Sequence, residues 1–261
     1  MKLNFITIGI GSPLLLIHGL GGSLKSWDNI IEALALSRRV IAIDLPGFGQ
    51  TPPHAGEVTI SKLADAVTSF IEDNDLRGID AVGTSMGARL VLELARRQNI
   101  IGKVVSLNPG GFWKGWETHL FYISIAVSIR LIRLIKPVLK PIIFSQLGRS
   151  LLLFQFSAIP RKVLGHIALG ELKDYLNSIS FDNLLYNLAY GEEQKGTAAN
   201  TLQHPMVIVW GKKDRVCFPA QAKRALVKFP DAELIWLEEC GHFPHWDRPE
   251  ETVKIILEHT N

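Results

Sequence analysis

The stretch IDAVGTSMGAR, residues 79–89, decides how the rest of the chain is read. Ile79–Val82, apolar except for Asp80, suits a strand, while the residues from Met86 to Arg97 are mostly helix formers with an apolar periodicity. At the junction one serine stands between two glycines, Gly83-Thr84-Ser85-Met86-Gly87. This is Gly-x-Ser-x-Gly, the pattern of a tight strand-to-helix turn that lifts a serine at its tip. A side chain at either glycine would collide there with neighbouring backbone. A serine hydroxyl is a weak nucleophile at neutral pH and needs a base within hydrogen-bond reach. The helix opening at Met86 would aim its free N–H groups and its dipole at a developing oxyanion.

The base is expected late in the chain. ELIWLEECGHFPHWDRPEE, residues 233–251, ends a strand and carries His242 in a loop before the final helix. His245, three residues further, reads as structural or pocket-lining. The acid that orients the histidine is expected between serine and base, and PMVIVWGKKDRVCFP, residues 205–219, puts Asp214 in the loop after a strong strand. The preceding strand ends in Asn108 (SLNPGG), which cannot supply a charge, so elimination favours Asp214. Alone, each residue has a bland reading as a turn aspartate or a loop histidine. In the order Ser85, Asp214, His242 they are far more specific. Acyl transfer also needs a second oxyanion donor beside the Met86 N–H. PLLLIHGLGGS, residues 13–23, offers the Leu20 N–H in a glycine-rich loop, with His18 bracing that loop by hydrogen bonds. Asp44, in IDLPGFGQT, reads as a turn aspartate.

Around these motifs short apolar runs alternate with amphipathic stretches, which predicts an α/β doubly wound, mostly parallel sheet with ligands at the carboxyl ends of its strands. The helical stretches include SWDNIIEALA, ISKLADAVTSFIEDND, AQAKRALVKF and PEETVKIILEH, the last with proline in its first turn. The alternation stops between about Phe112 and Ala199. The chain therefore divides into a core of residues 1–111 and 199–261 and a helical cap, residues 112–198, with Pro137, Pro141 and Pro160 separating its helices. The cap is apolar and basic, and Arg130, Arg133, Lys136, Lys140 and Arg149 face almost no acids.

Composition excludes several classes. The 261 residues are 47% hydrophobic and 20% charged, enough for a large buried core and unlike a disordered chain. A net charge of +3 without an aromatic–basic repeat does not suit nucleic acid. No phosphate loop, His-Glu-x-x-His or metal-ligand spacing occurs, and the two cysteines, Cys217 and Cys240, do not form a disulfide framework, so no cofactor and no metal are expected. The apolar N-terminus is interrupted by Gly11-Ser12-Pro13 and reads as two strands rather than a signal peptide; a cytoplasmic location is the default expectation.

The segments HGLGG, DLPGFG, GTSMGAR, GKKD and CGHFPHWDRPEE, in this order, resemble the marker segments of the α/β-hydrolase superfamily. The resemblance covers the core and not the cap. It implies an eight-stranded, mostly parallel sheet with the cap inserted after strand 6; the short N-terminus suggests seven or eight strands, the first missing or abbreviated. Ser85 stands where epoxide hydrolases and dehalogenases of the superfamily carry aspartate, which argues against those activities. The expectation is a serine carboxylesterase, lipase-like, that cleaves esters of a medium-chain or apolar acyl group through an acyl-enzyme. Phe112, Trp113, Trp116, Phe121, Tyr122, Arg89 and Phe243 are the candidate substrate-binding residues. A carbon–carbon hydrolase would use the same triad. So would a lyase similar to the one in menaquinone synthesis, in which arginine at the position of Arg89 meets substrate carboxylates. A non-catalytic ligand-binding protein on this fold is a third class. The basic apolar cap leaves open a peripheral membrane contact, or an acyl-carrier contact similar to that of the superfamily's methyl esterase acting on pimeloyl carrier protein.

Overall fold

The computed structural model describes residues 2–260. Met1 and Asn261, the outer ends of the expected core segments, lie outside the described residues. Strands β1 (Phe5–Ile8), β2 (Pro13–Ile17), β3 (Arg39–Ile43), β4 (Ile79–Thr84), β5 (Ile101–Leu107), β6 (Met206–Gly211) and β7 (Glu233–Leu237) form one sheet in the order β1-β3-β2-β4-β5-β6-β7. Only β1 runs antiparallel, pairing with β3 at the edge, and every other neighbouring pair is parallel. The family's eight-strand count is thus met by seven, with a single strand ahead of β2 among the described residues. The helical insertion, expected after strand 6 of an eight-stranded sheet, follows β5, the fifth strand among the described residues.

The central strands read as apolar runs because both sheet faces are covered. Leu14 and Leu16 of β2 point into one core layer with Val40, Ala42, Val105 and Val209, whereas Leu15 and Ile17 point into the other with Ile41, Ile43 and Ala81. Helices α1 (Ile31–Ala35) and α11 (Pro249–Thr260) close the first layer, and α2 (Ile60–Asp73), α3 (Met86–Arg96) and α9 (Ala220–Lys228) close the second. Thr59 caps α2, its hydroxyl accepting from the Lys62 N–H at 3.2 Å. The helix expected over SWDNIIEALA is broken into a 3₁₀ turn, Leu24–Trp27, and the short α1. The Ser23 side chain caps the first piece by accepting from the Lys25 N–H, and Asp28 and Asn29 lie between the two.

Between β5 and β6 the described residues form no strand. This segment holds α4 (Trp116–Leu134), a 3₁₀ turn at Lys136–Val138, α5 (Leu139–Phe144), α6 (Gln146–Leu152), α7 (Gly165–Asn177) and α8 (Phe181–Tyr190). Pro137 and Pro160 fall between helices, but Pro141 lies in the first turn of α5, where its missing N–H costs no helical bond. The break after α5 is made at Ser145, whose hydroxyl accepts from the Gly148 N–H and caps α6. A last short helix, α10 (Pro244–Asp247), precedes α11. Cys217 and Cys240 are buried free thiols, and no single helix among the described residues is long and apolar enough to cross a membrane.

Candidate active site

Every loop singled out by its sequence leaves the carboxyl end of a strand, so the topology collects them at one edge of the sheet. Ser85 forms the elbow between β4 and α3 with φ 55° and ψ −113°, a backbone conformation costly for a side-chain-bearing residue. The elbow is so tight that a methyl group on Gly83 would overlap the Gly87 carbonyl, and one on Gly87 would overlap the carbonyls of Ile17 and His18. Gly87 is therefore required by the packing of α3 against β2, and Gly83 by the tightness of the elbow itself. The strained geometry is held by the Ser85 N–H donating to Leu107 O at 2.9 Å and by the Arg89 N–H donating to Ser85 O at 3.0 Å.

Ser85 Oγ lies 2.8 Å from His242 Nε2, and His242 Nδ1 lies 2.8 Å from Asp214 Oδ2. With Nδ1–H donating to the carboxylate, Nε2 is free to accept the serine proton, so the hydrogen bonds select the tautomer that general-base chemistry needs. Asp214 is buried, yet its oxygens are well supplied with donors. Oδ1 accepts from the Val216 and Cys217 N–H groups at 2.8 and 3.0 Å, and Oδ2 also accepts from Asn108 Nδ2 at 2.6 Å. Asn108 further donates to Gly241 O and accepts from the Gly211 N–H. The asparagine set aside as a source of charge thus positions the carboxylate that has one.

Asp247 was not singled out by sequence. It accepts from the Gly241 N–H at 2.7 Å, from the Ala158 N–H at 2.8 Å and from the Ser157 hydroxyl, while the His242 N–H donates to Phe156 O at 2.8 Å. The histidine loop is thereby pinned to residues 156–158, ahead of α7. Within CGHFPHWDRPEE the aspartate looks like the start of a helix; only the fold brings Ser157 to it. His245 is buried against Trp27, Phe243 and Trp246, and burial pushes its pKa down to about 3, which keeps it neutral.

On the other side of the serine, the loop after β2 comes close enough that a Cβ on Gly19 would stand 3.2 Å from Ser85 Cβ. The Leu20 and Met86 amides are engaged by no turn or loop acceptor among the described residues, and both residues line the cavity over Ser85. His18 Nδ1 lies 2.7 Å from Gly19 O, and the Leu45 N–H donates to Nε2 at 3.0 Å. Burial lowers its pKa, so His18 is a neutral brace between two loops. Asp44 closes its own turn by accepting from the Gln50 N–H, and also holds the Leu24 N–H and Asn4 Nδ2.

The cavity over the elbow is bounded by Ser85 and His242 at one side. Apart from Ser128, its remaining walls are mainly apolar, with Ile125, Ile129 and Ile132 from α4, Phe156, and Tyr175 and Phe181 from α7 and α8. Of the expected substrate-binding residues, Trp113, Phe121 and Phe243 line it, the first two stacked with ring centroids 4.1 Å apart. Four others are placed elsewhere. Phe112 is core, packed on Trp210 and Phe229; Trp116 is 67% exposed; and Tyr122 packs on Tyr186 and Tyr190. Arg89 is buried beneath the segment after α8, donating to Leu188 O, Glu192 O and Gln194 Oε1, which ties α3 to residues 188–194. Burial lowers its pKa to about 10, still leaving it charged at neutral pH.

Asp214, Cys217 and His242 each place a ligand atom within 4.8 Å of the others. Asp214 and His242 are already bonded to each other, however, and burial beside Asp214 pushes the Cys217 thiol well up, so it is protonated. A metal there would have to displace the bond that orients the histidine.

An elbow serine, a histidine and a buried aspartate in line at the carboxyl edge of a seven-stranded α/β sheet define an α/β hydrolase. The chain belongs to the alpha/beta hydrolase family, whose model matches residues 14–255. It is 29% identical over 256 residues to the dihydrolipoyllysine-residue acetyltransferase component of the acetoin cleaving system of Pseudomonas putida, which covers 95% of this chain and 63% of that protein. The chain thus spans less than two thirds of the length of that relative. It is also 24% identical over 269 residues to a 2-hydroxy-6-oxononadienedioate/2-hydroxy-6-oxononatrienedioate hydrolase of Pseudomonas putida, covering 99% of this chain and 91% of that one. Among solved structures an esterase from Exiguobacterium antarcticum superposes with a TM-score of 0.80 at 17% identity, over 99% of this chain and 95% of that chain.

Proposed function

We propose that the protein is a serine hydrolase that cleaves carboxylic esters of apolar, medium-chain acyl groups through an acyl-enzyme. The observation that carries this reading is the continuous Ser85–His242–Asp214 hydrogen-bond relay, with both bonds at 2.8 Å, opening onto an apolar cavity. Ser85 Oγ attacks the ester carbonyl as its proton passes to His242 Nε2, and Asp214 stabilises the imidazolium. The Leu20 and Met86 N–H groups receive the oxyanion. His242 then protonates the departing alcohol, and a water activated by the same histidine releases the acid. The cavity walls hold an acyl chain but carry no cation to neutralise a substrate carboxylate, since Arg89 is spent on carbonyls of residues 188–194. This favours a neutral chain over a dicarboxylate.

A fluorophosphonate probe should label Ser85, and a panel of p-nitrophenyl esters should peak at a medium chain. An optimum at acetate, or no labelling of Ser85, overturns the proposal. The named activity of the 24%-identical Pseudomonas relative supports a second reading, carbon–carbon bond hydrolysis by the same residues. Turnover of a ring-cleavage diketone exceeding that of every ester would select it.

A further inference from the structure

Helix α4 is apolar on two opposite faces. Phe121, Ile125, Ile129 and Ile132 point inward and line the cavity. At 3.6 residues per turn the other face carries Leu120, Ile123, Val127, Leu131 and Leu134, and all five are exposed, Leu134 to 78%. Ordinary surface helices turn polar residues to water, so an outer stripe of five aliphatic side chains marks an unfilled contact. The exposure continues along the chain beyond α4, where Val138, Phe144, Leu147, Leu151 and Phe154 are each at least half exposed. Ser124 and Ser128 of α4 hydrogen-bond Gln155, which brings the segment holding Phe154 alongside the helix.

The charge on this region has one sign. From Thr118 to Gly170 there are seven lysines and arginines and no aspartate or glutamate. Arg130 sits within the outer stripe, and Lys136 and Lys140 follow its end; all three are exposed. Arg133 is paired with Asp182 of α8, but Arg130, Lys136, Lys140 and Lys162 form no ion pair among the described residues. Long aliphatic side chains ringed by unpaired cations match an anionic lipid surface, whose headgroups attract the cations while the stripe enters the acyl boundary. No single helix among the described residues is long and apolar enough to span a bilayer, and α4 meets the Lys136–Phe144 segment at a bend of 68°; the cations beside the outer stripe suit a contact that lies on the surface.

We propose that the outer face of α4, with the turn and helices that follow it, is a docking surface for an anionic membrane. Only the thickness of α4 then separates the bilayer from the cavity over Ser85. This goes beyond the esterase reading and does not depend on it, because binding is read without turnover.

The test is co-sedimentation of the full chain with phosphatidylcholine vesicles and with vesicles that also contain phosphatidylglycerol. Binding should favour the anionic vesicles and weaken with salt. Lys136→Glu with Lys140→Glu should cost about fivefold per charge, and Val127→Glu with Leu131→Glu about tenfold or more. An unchanged circular-dichroism spectrum and thermal melting curve serve as the control for folding in both variants. Equal binding to the two vesicle types, or variants that bind as the parent does, overturns the proposal. So does a concentration-dependent dimer in analytical ultracentrifugation that Val127→Glu with Leu131→Glu dissolves while no vesicle binding is seen.

Discussion

Asn108 Nδ2 stands 2.6 Å from Asp214 Oδ2, the same oxygen that lies 2.8 Å from His242 Nδ1. Asn108 directly follows β5 and Asp214 follows β6, so the parallel pairing of these strands brings the amide to the carboxylate. The amide fixes the orientation of the acid, and the acid fixes that of the histidine. Asn108→Ala should leave the fold in place and lower the rate of fluorophosphonate labelling at Ser85 by about tenfold, the worth of one hydrogen bond to a charged group. Labelling at the parent rate, with circular dichroism unchanged, would show that the carboxylate holds its position without help.

Ser85→Ala should remove ester turnover by on the order of 10⁴-fold or more, because the covalent route disappears. Its thermal stability should match or exceed the parent's, since alanine relieves no packing and the elbow strain belongs to the backbone. Steady-state kinetics beside a melting curve checks both halves.

A methyl group at position 87 would overlap backbone carbonyls of β2, which cannot swing aside as a side-chain end can. Gly87→Ala should therefore lower stability by roughly 3 kcal/mol, seen as a lower urea midpoint. A midpoint equal to the parent's would mean that β2 and α3 can part without cost.

Ile129 faces the cavity from α4. Ile129→Phe fills the space a longer acyl chain would occupy, and the ester panel should shift towards acetate while acetate turnover changes little. A preference that stays on longer chains would place the chain elsewhere.

Glu171 on α7 is buried and hydrogen-bonded to Ser26 and to Tyr175, with Asp174 and Asp28 nearby, and burial raises its pKa from 4.5 to about 8. Because the folded state holds this proton more tightly than the unfolded state, its contribution is complete below about pH 4.5 and is lost as pH rises towards about 8. Stability should fall across that window by ~1.4 kcal/mol per pH unit from this group. Glu171→Gln, neutral and similar in shape, should flatten the slope in urea titrations between pH 5 and 8, a range set by those two pKa values.

Much of the frame is legible in the sequence because it depends on local chemistry. The apolar runs that became β2 to β6, the glycines around Ser85 and the order of serine, aspartate and histidine are short-range features whose physical requirements are met within a few residues. The helix expected over SWDNIIEALA and the break expected at Pro141 differed from the structure because caps decided them. Ser23 caps the start of a 3₁₀ piece that stops at Asp28, whose N–H donates to Lys25 O, and Ser145 rather than proline separates α5 from α6.

What only the tertiary structure decided lies in contacts between residues far apart in the chain. By itself the sequence determined that a serine is raised at the carboxyl edge of an α/β sheet and that an acid and a base follow in order. That Asn108 buttresses Asp214, that Asp247 ties the His242 loop to Ser157, and that Arg89 is spent on carbonyls of residues 188–194 follow from separations of 106, 90 and about 100 residues. Phe112 and Trp113 are neighbours in sequence, yet one is core and the other lines the cavity. The direction of a side chain is set by the packing of the whole sheet, and no local pattern encodes it.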